Sequence, residues 1–183
     1  EVLRTRIDNA DALAWRKVAV EGVFIDAGTV LVDNKVSRGV AGYHVVTPLR
    51  PAASMRTVLI NRGWVEAPRD RAKPPPVLAP TGRVRVEGIA TQPPTKVFEL
   101  GTPNTAELVW PNLTLERYAQ AKEIALEPIL VLQTNDLGDG LRKEWDLPGS
   151  GADKNRSYAF QWFTFAALAV ALYVGFSLKR ISQ

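Results

Sequence analysis

A chain of 183 residues with no cysteine, one histidine and one methionine excludes a Cys-rich zinc site, a thiolate nucleophile, an HExxH helix and a soft copper cluster. Its net charge of +4 is small for this length, and the basic residues are scattered rather than gathered in a stripe, so nucleic-acid binding has little support. Residues 1–156 suffice for one domain whose core needs no disulfide.

In chain order, "KVAVEGVF" (17–24) alternates Val18, Val20 and Gly22 against Ala19, Glu21 and Val23. "IDAGTVLVDN" follows, with a short turn at Gly28 before another apolar run, and the two segments together predict a hairpin. "GYHVVTPL" (42–49) and "RTVLINRGWV" (56–65) predict a second strand pair. The stretch 67–80 carries five prolines and predicts an exposed, semi-extended loop. "RVRVEGIA" (83–90) sets Val84 and Val86 against Arg83, Arg85 and Glu87, the pattern of a half-buried strand. A short helix is expected over 113–123, starting at Leu113 or Thr114, with Leu115, Tyr118 and Ala119 on one face. "EPILVLQT" (127–134) reads as a last strand, and 135–156 as a glycine-rich connector. The predicted class is α+β: an antiparallel, β-rich curved sheet or small barrel with a short helix, followed by a C-terminal transmembrane helix.

The transmembrane expectation rests on 21 uncharged residues from Tyr158 to Leu178. As a helix they extend roughly 31 Å, about the thickness of a bilayer's hydrocarbon core. A buried core helix is usually shorter and less uniformly apolar. Tyr158, Trp162 and Phe163 lie near one end and Tyr173 and Phe176 near the other, which partly fits interfacial aromatic belts. The expected division is therefore a domain to residue 156, a span over 157–178 and a tail over 179–183. Lys154 and Arg156 precede the span while Lys179 and Arg180 follow it, so local charge does not set its orientation. A first residue of Glu1 rather than Met leaves room for a segment upstream.

Candidate chemistry is sparse. His44 sits mid-strand without a G-x-S-x-G elbow anywhere in the chain, and its simpler reading is a strand histidine satisfied by hydrogen bonds. "VLINRGWV" interrupts a strand with Asn61 and Arg62. By alternation Arg62 shares a face with Val58, Ile60 and Trp64, so its charge must be paired or the strand must change course. Gly63 permits a bulge, after which Trp64 re-enters the core.

These segments assemble into a resemblance. "GYHVVTPL", "VLINRGWV" and "DKNRSYAFQWF" (153–163), with "WRKVAVEG" (15–22) and "LRKEWDLPGSGADKNR" (141–156) as flanks, resemble the Surfeit locus protein 1 family of cytochrome c oxidase assembly factors in its bacterial form, in the right order from Trp15 onward. The resemblance implies a non-enzymatic role in maturation of oxidase subunit I, with haem a as the handled cofactor and a contact with haem a synthase as an expected further partner. It also implies two helices in the lipid bilayer; the first is not among these residues, so either it lies upstream of Glu1 or this member differs. The domain then faces the periplasm from the bacterial inner membrane, or the equivalent side of the mitochondrial inner membrane, with Lys179 and Arg180 in the cytoplasm.

The family's favoured haem contact is a histidine just before the final helix, and Asn155 stands at that place. Asparagine is not among the usual axial ligands. Lys154 and Arg156 remain suited to propionates, and Tyr158, Trp162 and Phe163 to the porphyrin face. The same residues are also suited to anchoring a helix among lipid headgroups. Tyr158 is a substitute iron ligand in principle, and His44 is one only if its strand folds down onto the membrane. Three functions follow: an assembly factor that delivers haem a to subunit I, a chaperone of the same oxidase that does not ligate haem, and a membrane-tethered envelope enzyme. The sequence offers the third no nucleophile–base pair.

Overall fold

The computed structural model describes residues 1–53, 55–93, 107–145, 147 and 152–181. It divides into two compact units, Glu1–Glu144 and Trp145–Gln183.

The first unit is β-rich. Its strands are β1 (Lys17–Phe24), β2 (Val30–Ser37), β3 (Val40–Pro51), β4 (Thr57–Glu66), β5 (Arg83–Thr91), β6 (Val109–Trp110) and β7 (Leu126–Gln133). They form one sheet in the order β1-β5-β7-β4-β3-β2-β6, and a further β1–β3 pairing closes the first five into a barrel. Every barrel pair is antiparallel except β4–β7, which runs parallel. This corrects the wholly antiparallel expectation, and the reason is parity: a ring with an odd number of strands cannot alternate direction at every neighbour. The long connection through β5, β6 and a helix supplies the crossover that a parallel pair needs.

The hairpin expected between β1 and β2 does not form. Both lie along the same edge of β3, with Gly22–Phe24 opposite Leu49–Pro51 and Val30–Ser37 opposite Val40–Val46. A 3₁₀ turn at Asp26–Gly28 bends the chain between them. Gly28 marks a close approach rather than a reversal, since a Cβ there would lie 2.5 Å from Pro48 Cγ and 2.8 Å from the Tyr118 hydroxyl. One long strand is thus bent at a barrel corner and keeps pairing with β3.

Val18, Val20, Phe24, Leu49, Val58, Ile60, Val86, Ile129 and Val131 fill the barrel, joined by Leu3, Ile7 and Leu13 of the N-terminal segment. The buried carboxylate of Glu127 pins that segment by accepting from the backbone N–H of Ile7 (3.0 Å) and of Arg56 (2.8 Å). A second apolar layer, with Val30, Val32, Val46, Leu59 and Leu130, is covered by Trp110 and by the helix α1 (Leu115–Lys122). Thr114 caps α1, its side chain accepting from the Arg117 N–H at 3.2 Å, and Glu123 ends it in the left-handed conformation. Tyr118, fully buried beside Trp110, donates its hydroxyl to the Gly28 carbonyl, and burial pushes its pKa up. Tyr118→Phe leaves that carbonyl without its donor and is expected to cost about 1–2 kcal/mol in chemical denaturation. An unchanged midpoint would show that the corner does not depend on this bond.

The second unit holds α2 (Ala152–Ile181), 30 residues long. It takes in 152–156, which the glycine-rich pattern assigns to the connector. Its described side chains, between Tyr158 and Tyr173, are exposed. Among the described residues no helix is long and apolar enough to cross a membrane, so the fold establishes a helix at the expected place and not its passage through a bilayer.

Candidate functional site

The pairing of β3 with β4 brings His44 opposite Trp64, Val45 opposite Gly63 and Val46 opposite Asn61, leaving Arg62 as the extra residue of a bulge. Gly63 has φ +147°, and a Cβ there would lie 2.7 Å from the Arg142 carbonyl oxygen. Neither condition suits a larger residue. Val58, Ile60 and Arg62 face the barrel interior, whereas Leu59 and Asn61 face the layer under α1.

Arg62 is completely buried, and its charge is answered from all sides. Nη2 donates to Asp139 Oδ2 at 3.0 Å and to the Leu78 carbonyl at 2.8 Å, and Nε donates to the same Asp139 oxygen at 3.3 Å. The Phe24 ring centroid lies 5.4 Å from the guanidinium carbon. Asp139, with 1% of its side chain exposed, also accepts from Lys143 Nζ at 2.7 Å. One carboxylate thus holds two cations, while Asp26 supports Arg62 at longer range and accepts from the Ala79 N–H at 2.8 Å. Leu78 and Ala79 belong to the proline-rich loop expected to be exposed. The Leu78 side chain is indeed exposed, but its carbonyl serves Arg62 and Ala79 is buried.

Burial lowers the Arg62 pKa, and Asp139 pulls it back. For Asp139 burial works upward, but the hydrogen bond and charge of Lys143, the charge of Arg62 and the Leu141 N–H outweigh it and hold the carboxyl below its ordinary value. The fold therefore favours the ionised form over the unfolded chain. Its contribution is present above the unfolded pKa of about 3.9 and is lost as the pH falls through the lower native value. We expect the urea midpoint to drop below about pH 4, with a shallower drop in Asp139→Asn. Equal slopes would remove Asp139 from the acid response. Glu144, held low chiefly by its hydrogen bond from Arg38, keeps its own solvent-screened share of the slope in both chains.

Trp64 is buried, donates Nε1 to the Lys35 carbonyl at 3.0 Å and carries the Arg142 guanidinium 4.7 Å from its ring centroid. Its backbone exchanges two hydrogen bonds with Arg142, at 2.7 and 3.0 Å. Beside it, Asn61 Nδ2 donates to Nδ1 of the half-buried His44 at 3.2 Å, and the buried Asn61 Oδ1 has no hydrogen-bond partner among the described residues. The bulge therefore gathers His44 with Asn61, Arg62, Gly63 and Trp64. It also docks residues 139–143 onto the barrel. Asp139, Arg142 and Lys143, which make this docking, were missed in the sequence because they lie in a segment with the composition of a connector. The available signal was the demand of Arg62 for a carboxylate.

Lys154, Asn155 and Arg156 occupy the first turns of α2, with side chains outside the described residues. Tyr158 and Trp162, four residues apart, lie on one helix face and are 63% and 73% exposed, available to a flat apolar partner. The Trp162 ring stands edge-on to Phe165 at 6.4 Å. Phe163 is equally exposed. Among the described residues no three His, Cys, Asp or Glu gather into a metal-holding group. By residue type, Asn155 places no usual axial ligand of haem iron in the first turns of α2.

A family model described as the SURF1 family matches residues 2–167, a range that takes in the barrel, α1, the bulge and the first half of α2. The chain belongs to the SURF1 family. It is 25% identical over 178 residues to a SURF1-like protein of Monosiga brevicollis, covering 88% of this chain and 66% of that relative. It is 24% identical over 155 residues to a SURF1-like protein of Caenorhabditis elegans, covering 81% of this chain and 45% of that relative. The chain thus spans less than two thirds of the length of either relative. Every candidate residue, from His44 to Phe163, falls inside the range matched by the SURF1 family.

Proposed function

We propose that the protein is a membrane-anchored assembly factor of cytochrome c oxidase, not an enzyme, which assists the maturation of subunit I at the stage where haem a is inserted. The observation that carries this reading is that the SURF1 family match runs through the barrel and into the first half of α2. α2 is the anchor: Tyr158–Leu178 is free of charge, and its described part is exposed along its whole length. The barrel then stands on the periplasmic face of a bacterial inner membrane, or on the equivalent face of the mitochondrial one. Subunit I is the partner, haem a synthase a further contact.

Within this role Asn155 favours a chaperone that meets the porphyrin without ligating its iron. Lys154 and Arg156 pair with the propionates, and Tyr158 and Trp162 offer the apolar faces. The role itself is tested by expressing the protein in cells lacking their own family member. Restored haem a absorbance and oxidase activity support it, and normal levels of the protein without either would overturn it. The iron is tested separately, by titrating the detergent-purified protein with haem a. We expect no low-spin Soret band in the unaltered chain and its appearance in Asn155→His. Tight, stoichiometric ligation in the unaltered chain would transfer the iron to Tyr158, His44 or a residue upstream of Glu1 and restore the delivery role.

A further inference from the structure

The turn between β2 and β3 is a two-residue hairpin, with Arg38 at φ +51° and Gly39 at φ +80°, the rigid type whose twist matches its strands. Val36 lies opposite Ala41 and Ser37 opposite Val40, so one face of the tip presents Val36 and the other Val40. Val36 is 68% exposed and Val40 39%. A hairpin that covers a core is apolar on one face alone; this tip carries a valine on each.

Glu144, the last residue of the first unit, is bound to this same tip. It accepts from Ser37 Oγ at 3.2 Å and pairs with the Arg38 guanidinium. Only residues 145–151 separate it from the start of α2, a stretch no longer than about 29 Å when fully extended. Val23, paired with Arg50 at the other end of β3, is about 33 Å from the tip along the strand. The last residue of the first unit is therefore held at the pole that bears the exposed valines. Lys35 and Arg38 flank Val36 and Ser37 in the chain, Arg38 being shared with Glu144, so cations stand beside the exposed valines.

We propose that the β2–β3 hairpin tip is a lipid-contacting finger, inserting Val36 and Val40 among the headgroups of the bilayer in which α2 is anchored, while Lys35 and Arg38 meet lipid phosphates. This rests on the reading of α2 as a membrane anchor. The contact makes the barrel's docking to the bilayer depend on the tip as well as on the tether.

The chain has no cysteine, so Val36→Cys, Val40→Cys and Val23→Cys each provide one nitroxide site in the full-length protein. The labelled proteins are reconstituted in phosphatidylcholine–phosphatidylglycerol vesicles, and collision of each label with oxygen is compared with collision with a water-soluble nickel chelate. Labels at 36 and 40 should favour oxygen several-fold over the label at 23. If all three favour the chelate while the protein floats with the vesicles, the anchor stands and the finger is wrong. Labels at 36 and 40 shielded from both reagents would place a protein at the tip and refute lipid contact. A protein that does not enter the vesicles would refute the anchor and the finger with it.

Discussion

Asp139→Ala is expected to destabilise the barrel by about 3–5 kcal/mol, because it leaves Arg62 charged, fully buried and without its carboxylate. Thr47 Oγ1 at 3.5 Å and the Leu78 carbonyl are neutral and cannot replace it, and Lys143 would add repulsion. The exposed pair Arg38–Glu144, 74% and 43% exposed, is the contrast, since ion pairs of that kind contribute at most about 1 kcal/mol. Urea denaturation of Asp139→Ala and Glu144→Ala side by side separates the two cases. Losses of similar size would mean that water reaches Arg62. Arg62→Met and Lys143→Met combined with Asp139→Leu should recover most of the loss, because removing all three charges also removes their desolvation cost. On this account Arg62 secures the fold, and Arg62→Ala lowers oxidase maturation only as far as it unfolds the barrel. Normal unfolding beside lost maturation would assign it a direct role.

Gly63→Ala is the second large effect. A side chain at φ +147° is strained by roughly 1–3 kcal/mol, and here its Cβ would also press on the Arg142 carbonyl at 2.7 Å and Leu141 Cβ at 2.8 Å. The two backbone hydrogen bonds between Trp64 and Arg142 then lengthen, and the segment that carries Asp139 loosens from the barrel. Gly82→Ala is the control, since Gly82 has φ +80° with nothing within 4 Å of an added Cβ. We expect Gly63→Ala to lose more stability than Gly82→Ala and to become sensitive to proteolysis between residues 135 and 145. Equal losses would reduce the role of Gly63 to its dihedral angle.

Local pattern was enough to recover most of the elements. The alternation of 83–90 appears as β5, and 42–49 with 56–65 as the pair β3–β4. The start of the short helix, placed at Leu113 or Thr114, is the Thr114 cap. β6 escaped because two residues carry no period, and its place is set by pairing with Leu31 and Val32. The candidate site was half legible. Asn61, Arg62, Gly63 and Trp64 announced themselves by breaking a strand, whereas Asp139 lies 77 residues from Arg62 in a segment of no periodicity.

Side-chain alternation, glycine and proline placement and capping are properties of neighbouring residues, so the amino-acid order alone specifies the longer strands, where α1 starts, that Arg62 needs a counter-charge and that the chain resembles its family. Partner choice is not local. Closure of an odd ring forces the parallel β4–β7 pair, Pro48 and Tyr118 crowd Gly28 into a corner instead of a hairpin, and the buried guanidinium takes the carboxylate of Asp139, which only folding brings to it. Those outcomes depend on distances between residues far apart in the chain, which come into being only when the barrel closes.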